Sequence, residues 1–377
     1  MYFITGVICM MIGAQMSSLV EHYQRPVESV VLIVSAFALG RALTAYPIGR
    51  LTERFGPLKV LFIGTIAILS YMMGVVLNDL FPLAFLFAFA GGIGMAVQDS
   101  TCPLLLSKAF PSDYSSALSA GQGLYGMGGF AIAFLSGLFQ SKGLPLHSAN
   151  LLLSFIGISM LLLIPFTSWD PQNSEAAEEK IEPCYAKNPK LCMGILGAAC
   201  LIYCAICNCM ASYMTSYIEA LGFSQKDASG MLTLYNLFSL AGSIGFVFIL
   251  KRVKEKQILL FNSLTVTILL SVMLYLRQLK FYYLAMTLSG FLIGVLFSII
   301  IALATRLYYE HIAIAGATIA MTGSAGDILA PLFSSLIVRR FGLTAIFNCI
   351  ILLLIALTIL SLFIHCLIKE RKYGDSK

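Results

Sequence analysis

Apolar runs long enough to cross a bilayer recur along the whole chain, parted by short polar loops. The run Ile350–Ile364 contains no charged residue at all. A spanning helix needs about 20 mostly apolar residues. Twelve segments meet that condition: 2–20, 28–49, 59–77, 81–107, 115–139, 147–167, 191–218, 228–250, 257–275, 281–305, 312–337 and 343–368. The apolar fraction is 59% and the charged fraction 11%, where a soluble domain carries roughly a quarter charged residues. Too few polar groups remain to cover a water-facing surface. In lipid each backbone group must be paired internally, which leaves helices or closed barrels. Long uninterrupted runs exclude barrel strands, which alternate over about ten residues. The expected fold class is an all-α membrane protein. The first segment has no basic leader and no cleavage site, so it reads as a permanent span.

The loops fix an orientation. With both termini placed in the cytoplasm, 16 of the 24 Lys and Arg residues fall in inside loops, seven in outside loops and Arg41 within a span. The positive-inside rule favours that arrangement. It also explains the net charge of +6 without a nucleic-acid partner. Residues 168–190 are the one long polar stretch and read as a cytoplasmic linker, with Trp169 as an interfacial anchor. The chain then divides into a six-helix bundle over 1–167 and a second over 191–377. The halves echo each other. Gly126-Met-Gly-Gly in the fifth span parallels Gly323-Ser-Ala-Gly in the eleventh at an offset of 197, and Glu53-Arg54 parallels Lys251-Arg252 at 198. Two near-equal offsets imply an internal duplication.

The loop after the second span reads Gly49-Arg50-Leu51-Thr52-Glu53-Arg54-Phe55-Gly56-Pro57-Leu58-Lys59. Gly49 allows another helix to come close. Glu53 is an anion at a helix end, suited to a basic group or the positive N-terminus of the eleventh span. Gly56 permits a tight turn, and Arg54 and Lys59 hold the loop inside. This pattern resembles the loop signature of the major facilitator superfamily, with Glu53 where aspartate is usual. The resemblance implies two pseudo-symmetric bundles of six transmembrane helices, and spans 1, 4, 7 and 10 lining the transport path. Ser35-Ala-Phe…Gly40 with Pro47-x-Gly49, Gly92-x-Gly94…Pro103, and Met321-Thr…Gly326…Pro331 resemble segments of fucose-permease-type sugar:proton symporters. Those symporters carry an acid where this chain has Gln98, with Asp99 next to it.

Charges at mid-membrane depth are costly and usually functional. Arg41, Asp99 and Asp327 are the three here. Arg41 and Asp99 each lie eight residues from the cytoplasmic end of their span, about 12 Å along the axis. They share a depth and can pair. Either Arg41 holds an anionic or hydroxyl-rich solute while Asp99 takes a coupling proton, or the two form a static bridge. Asp327, with no Lys or Arg predicted at its depth, reads either as a proton carrier or as a water-facing residue of no special role. Gln15, Gln98, Asn208 and Asn236 are read as inward-facing polar residues, either lining the path or bonding helices together. Cys204-x-x-Cys207 lacks a second pair and a nearby histidine, so these thiols read as small packing residues. His22, His147, His311 and His365 sit near span ends, which speaks against a metal site or catalytic base.

These features point to a secondary transporter in the plasma membrane, working as a monomer by alternating access. Its partners are the bilayer, a small hydrophilic solute such as a sugar or organic anion, and protons. No nucleotide-binding loop is present and no cofactor is called for. Proton-driven efflux of drugs or metabolites is the alternative, and a membrane enzyme or sensor the remote one.

Overall fold

The computed structural model describes residues 1–167, 183–276 and 278–370. The linker residues 168–182, including Trp169 and Lys180, lie outside the described residues, as do Arg277 and 371–377. Among the described residues eleven helices are long and apolar enough to cross a membrane, and Tyr2–Ala14 is a shorter apolar one. In chain order the helices are α1 Tyr2–Ala14, α2 Met16–Tyr23, α3 Val27–Phe55, α4 Pro57–Leu77, α5 Phe81–Ala109, α6 Tyr114–Ser141, α7 Ser148–Leu163, α8 Pro189–Ala220, α9 Gln225–Ile249, α10 Glu255–Leu276, α11 Leu279–Ile293, α12 Leu296–Leu307, α13 Ile312–Phe341 and α14 Ala345–Leu367.

The expected segments match these helices to within a turn or two, with two differences. The first span is not continuous: Gln15, at φ −113° and ψ 16°, separates α1 from α2. The tenth is α11 followed by α12, joined through Gly294 and Val295. The end of the expected linker is also not loose. Its β1 strand, Cys184–Ala186, pairs antiparallel with β2, Ile368–Glu370.

The chain forms two compact units. One comprises Met1–Pro111, Gly123–Lys180 and His311–Met321; the other comprises Ser112–Gln122, Ile181–Glu310 and Thr322–Lys377. The start of α6 therefore belongs with the second half of the chain, and the start of α13 with the first. This reciprocal exchange departs from a simple cut at the linker. It takes place at duplicated positions, since the two exchanged segments begin 199 residues apart.

Glycine-mediated helix contacts are duplicated as well. In the first unit, a Cβ on Gly40 would lie 2.3 Å from the Phe89 carbonyl oxygen, and one on Gly92 would lie 2.1 Å from that of Phe37. In the second, Gly242 meets the Phe291 oxygen at 2.0 Å and Gly294 the Ser239 oxygen at 2.2 Å. All four residues of one crossing map onto the other at an offset of 202. Only glycine fits where backbones come this close, and such small-residue contacts are how helices associate in lipid. The α3–α5 and α9–α11 crossings are thus one duplicated feature.

Candidate functional site

The α3–α5 crossing brings Arg41 and Asp99 together. Gly92 packs directly on the Arg41 backbone nitrogen, 2.6 Å from a would-be Cβ. Arg41 Nε donates to Asp99 Oδ2 at 2.8 Å. Both are buried, Arg41 at 8% exposure and Asp99 at 1%. Asp99 Oδ1 has no hydrogen-bond partner among the described residues. Two charges withdrawn from water this far offset each other, and removing either takes away a buried counter-charge. The duplicated crossing has no such pair. At the offset of 202, Ser243 stands in place of Arg41 and Ile301 in place of Asp99. Ser243 Oγ donates to the Gly294 carbonyl at 2.9 Å. The crossing can therefore pack without charges.

The other predicted polar residues are distributed among separate clusters. Gln98 is buried and accepts a hydrogen bond from Thr5 Oγ, so it ties α5 to α1. Gln15 bonds Ser136 and Asn150. Asp327, in the second unit, is half-buried and turned toward Cys204 and Cys207 of α8. It has an interaction partner within the fold. Cys207 also reaches Tyr203 and Tyr235, and Tyr203 stacks on Phe297 with ring centroids 6.2 Å apart. A Cβ on Gly323 would touch the Cys200 and Cys204 sulfurs at 3.1 Å, which places these thiols in helix packing. Asn208 is half-buried, while Asn236, expected to point inward, is exposed on α9.

The loop motif is held against the start of α13 within the first unit. Gly49 is buried against α13, where a Cβ would lie 3.0 Å from Ala317 Cβ and 3.1 Å from Ile314 Cα. Glu53 Oε1 accepts from the Ile314 backbone N–H at 3.3 Å, and Oε2 lies 3.1 Å from His311 Nδ1. A carboxylate at the first free N–H groups of a helix satisfies them and meets the positive end of the dipole. Gly56 ends α3 at φ +87°, and Arg54 and Lys59 are exposed. The same stretch of α13 also reaches the buried pair. A Cβ on Gly316 would be 2.7 Å from the Asp99 carbonyl oxygen and 3.4 Å from Pro103.

The second unit carries the mirror image with its charges exchanged. Lys251 Nζ lies 3.7 Å from Asp113 Oδ1 at the start of α6. Lys251 follows Glu53 by 198 residues, and His311 follows Asp113 by 198. Equivalent positions thus make the same contact with acid and base interchanged. Behind it, buried Glu255 accepts from Ser115 Oγ and from Arg306 Nη1, the latter at 2.5 Å.

The profile of the Major Facilitator Superfamily matches residues 1–331. This chain belongs to the major facilitator superfamily. The MFS-type transporter YfkL of Bacillus subtilis is 26% identical over 366 residues, covering 92% of this chain and 89% of that protein. The inner membrane transport protein YdiN of Escherichia coli is 23% identical over 71% of this chain and 64% of its own length. Among solved structures, the transporter FucP in its outward conformation superposes with a TM-score of 0.77 at 16% identity, over 96% of each chain. The proton:xylose symporter XylE gives 0.76 at 14%, over 98% of this chain and 94% of that one. These structures establish the major facilitator fold. The protein is accordingly a multi-pass membrane transporter of small molecules and not an enzyme.

Sequence reasoning did not single out Asp113, Glu255, Arg306 or His311 in this superfamily member. The signal was available in part: carrying the 198-residue offset beyond Glu53 to its partner leads to Lys251 and Asp113. His311 lies near a span end, and there it meets Glu53.

Proposed function

We propose that this protein is a proton-coupled secondary transporter that moves a small hydrophilic solute, a sugar or an organic anion, by alternating access. Asp99 is the coupling carboxylate and Arg41 its alternating partner. With Asp99 ionised, Arg41 is neutralised by it. When a proton occupies Asp99, the guanidinium is released to hold a hydroxyl-rich or anionic solute. Asp327, Gln98, Asn208 and Asn236 are candidates for the rest of the path. The protein works as a monomer in the plasma membrane with both termini cytoplasmic, as the basic-residue bias supports.

One observation carries this reading. The Arg41–Asp99 pair has no counterpart at the duplicated crossing, where Gly242 and Gly294 make equally close contacts with Ser243 and Ile301 at the equivalent positions. A pair needed only for packing would be needed twice. The geometry also supplies a route from proton to gate, because the helix start held by Glu53 packs on the Asp99 backbone through Gly316.

Uptake into proteoliposomes under an imposed inward proton gradient tests the proposal, with a panel of radiolabelled sugars and organic acids. Accumulation of at least one solute, collapsed by a protonophore and absent from Asp99→Asn, is the expected result. Accumulation indifferent to the protonophore and normal in Asp99→Asn would overturn it.

A further inference from the structure

The short turn Tyr309–His311 leads into α13 and sets His311 beside the end of α3. His311 Nδ1 lies 3.1 Å from Glu53 Oε2, while Glu53 Oε1 accepts from the Ile314 N–H at 3.3 Å. One carboxylate therefore reaches both the imidazole and the first turn of the helix that follows it. The His311 side chain is 60% exposed and that of Glu53 25%, so protons in the surrounding water reach the contact. Histidine is the side chain whose charge ordinarily changes between about pH 5 and 8. A neutral imidazole carries one hydrogen, on either nitrogen, so Nδ1 donates in one tautomer only. An imidazolium carries a hydrogen on both nitrogens and sets a positive charge against the carboxylate. Protonation strengthens the contact on both counts. The contact weakens again as pH rises through the histidine range.

Few other charges stand on the elements around this turn. On α3, the Arg50 and Arg54 guanidiniums lie over the Tyr46 and Phe55 rings, at 4.9 and 5.3 Å from their centroids. On α5, Asp99 is bound to Arg41, and Lys108 stands in the last turn. Glu310 precedes His311 in the turn itself. Among the described residues Glu53 is the ion-pair partner of His311. The duplicated contact supplies the contrast. There Lys251 and Asp113, each offset by 198 from Glu53 and His311, lie 3.7 Å apart. Lys and Asp side chains ordinarily keep their charges across the histidine range. Only one of the two equivalent contacts therefore contains a group that titrates near neutrality.

We propose that the Glu53–His311 contact is a pH-sensitive switch, in which protonation of His311 draws the start of α13 onto the end of α3 and opposes opening there. Under the proposed function, uptake becomes self-limiting: protons carried in with the solute gather at the cytoplasmic loop and hold it shut. That consequence rests on the proposed function, and the switch itself does not. The test is maleimide labelling of a cysteine introduced at Ala317, which packs on Gly49, in the purified full-length chain at about pH 6 and about pH 8. Labelling is read on the peptide that carries residue 317. Each rate is divided by that of the same chain unfolded at the same pH, which removes the thiol's own pH dependence. Arg41→Gln/Asp99→Asn serves as the background, so that Asp99 adds no titration. A partly exposed pair contributes modestly, so labelling should be about threefold slower at the lower pH. His311→Gln should label at the faster rate at both pH values, and His311→Lys, a permanent cation, at the slower rate at both. Glu53→Gln should remove the pH dependence too. Labelling that does not change with pH in the chain with His311, or that changes equally in His311→Gln, would overturn the switch. Labelling needs neither solute nor proton gradient. Failure of proton-driven uptake in proteoliposomes would therefore overturn the transporter reading and leave the switch standing, and the reverse holds.

Discussion

Arg41 and Asp99 show how far single residues decide the chemistry. Each offsets the other's charge in the membrane. Asp99→Asn should take the counter-charge from the buried guanidinium and destabilise the protein by about 3–5 kcal/mol. Arg41→Gln combined with Asp99→Asn should recover much of that loss, since two neutral amides replace two ions. Thermal unfolding in detergent checks the stability, and uptake checks function. Folding should return in the double variant and proton-driven accumulation should not. Recovery of accumulation along with stability would mean that the pair is a structural bridge. That both residues are ionisable and share a depth was legible in the sequence. That Asp99 Oδ1 has no hydrogen-bond partner among the described residues, and that Gln15 bonds Asn150 rather than joining the pair, was not. Those facts depend on which helix faces meet, and a list of spans leaves this open.

At the scale of helices, the start of α13 touches both the loop motif, which we propose as a latch, and the buried pair. Glu53 holds its Ile314 N–H from one side and Gly316 seats it on α5 from the other. A charge-assisted hydrogen bond contributes about 1.5–3 kcal/mol. Glu53 is partly solvated and its bond to Ile314 is long, so the lower end applies. Glu53→Gln should then shift the conformational balance roughly tenfold toward the state in which this latch is open. Gly316→Ala should act in the same direction by another route, because its Cβ would collide with a backbone carbonyl and push the helix away. Maleimide accessibility of a cysteine introduced at Ala317 reads both changes, and unchanged labelling in both would rule out the latch. The second unit divides its hold differently. Lys251 and Asp113 are about half exposed, so Lys251→Gln should cost only about 0–1 kcal/mol. Glu255 and Arg306 are buried, so Glu255→Gln should cost several times more, about 3–5 kcal/mol. Equal losses of thermal stability in these two variants would contradict the division.

For the whole molecule, the twelve apolar segments carried most of the fold, because lipid requires every span to bury its own backbone and therefore to declare itself in composition. The break at Gln15 was not legible, as a single glutamine among apolar residues does not interrupt the pattern. The exchange of Ser112–Gln122 and His311–Met321 between the two units was also hidden, since it reflects contacts between distant segments and not local sequence. The duplication did show in the sequence, and it bears on orientation. Two halves with the same sense of six spans each must start on the same side of the membrane, and the basic residues favour the cytoplasm for that side. Lys187 and Lys142 lie on loops assigned to opposite faces. In a background where the exposed native Cys366 is replaced by serine, Lys142→Cys should react with an impermeant maleimide added to intact cells. Lys187→Cys should react only after the membrane is opened. Reaction of Lys187→Cys from outside would invert the topology, and the Glu53 latch would then close the outer face in place of the inner one.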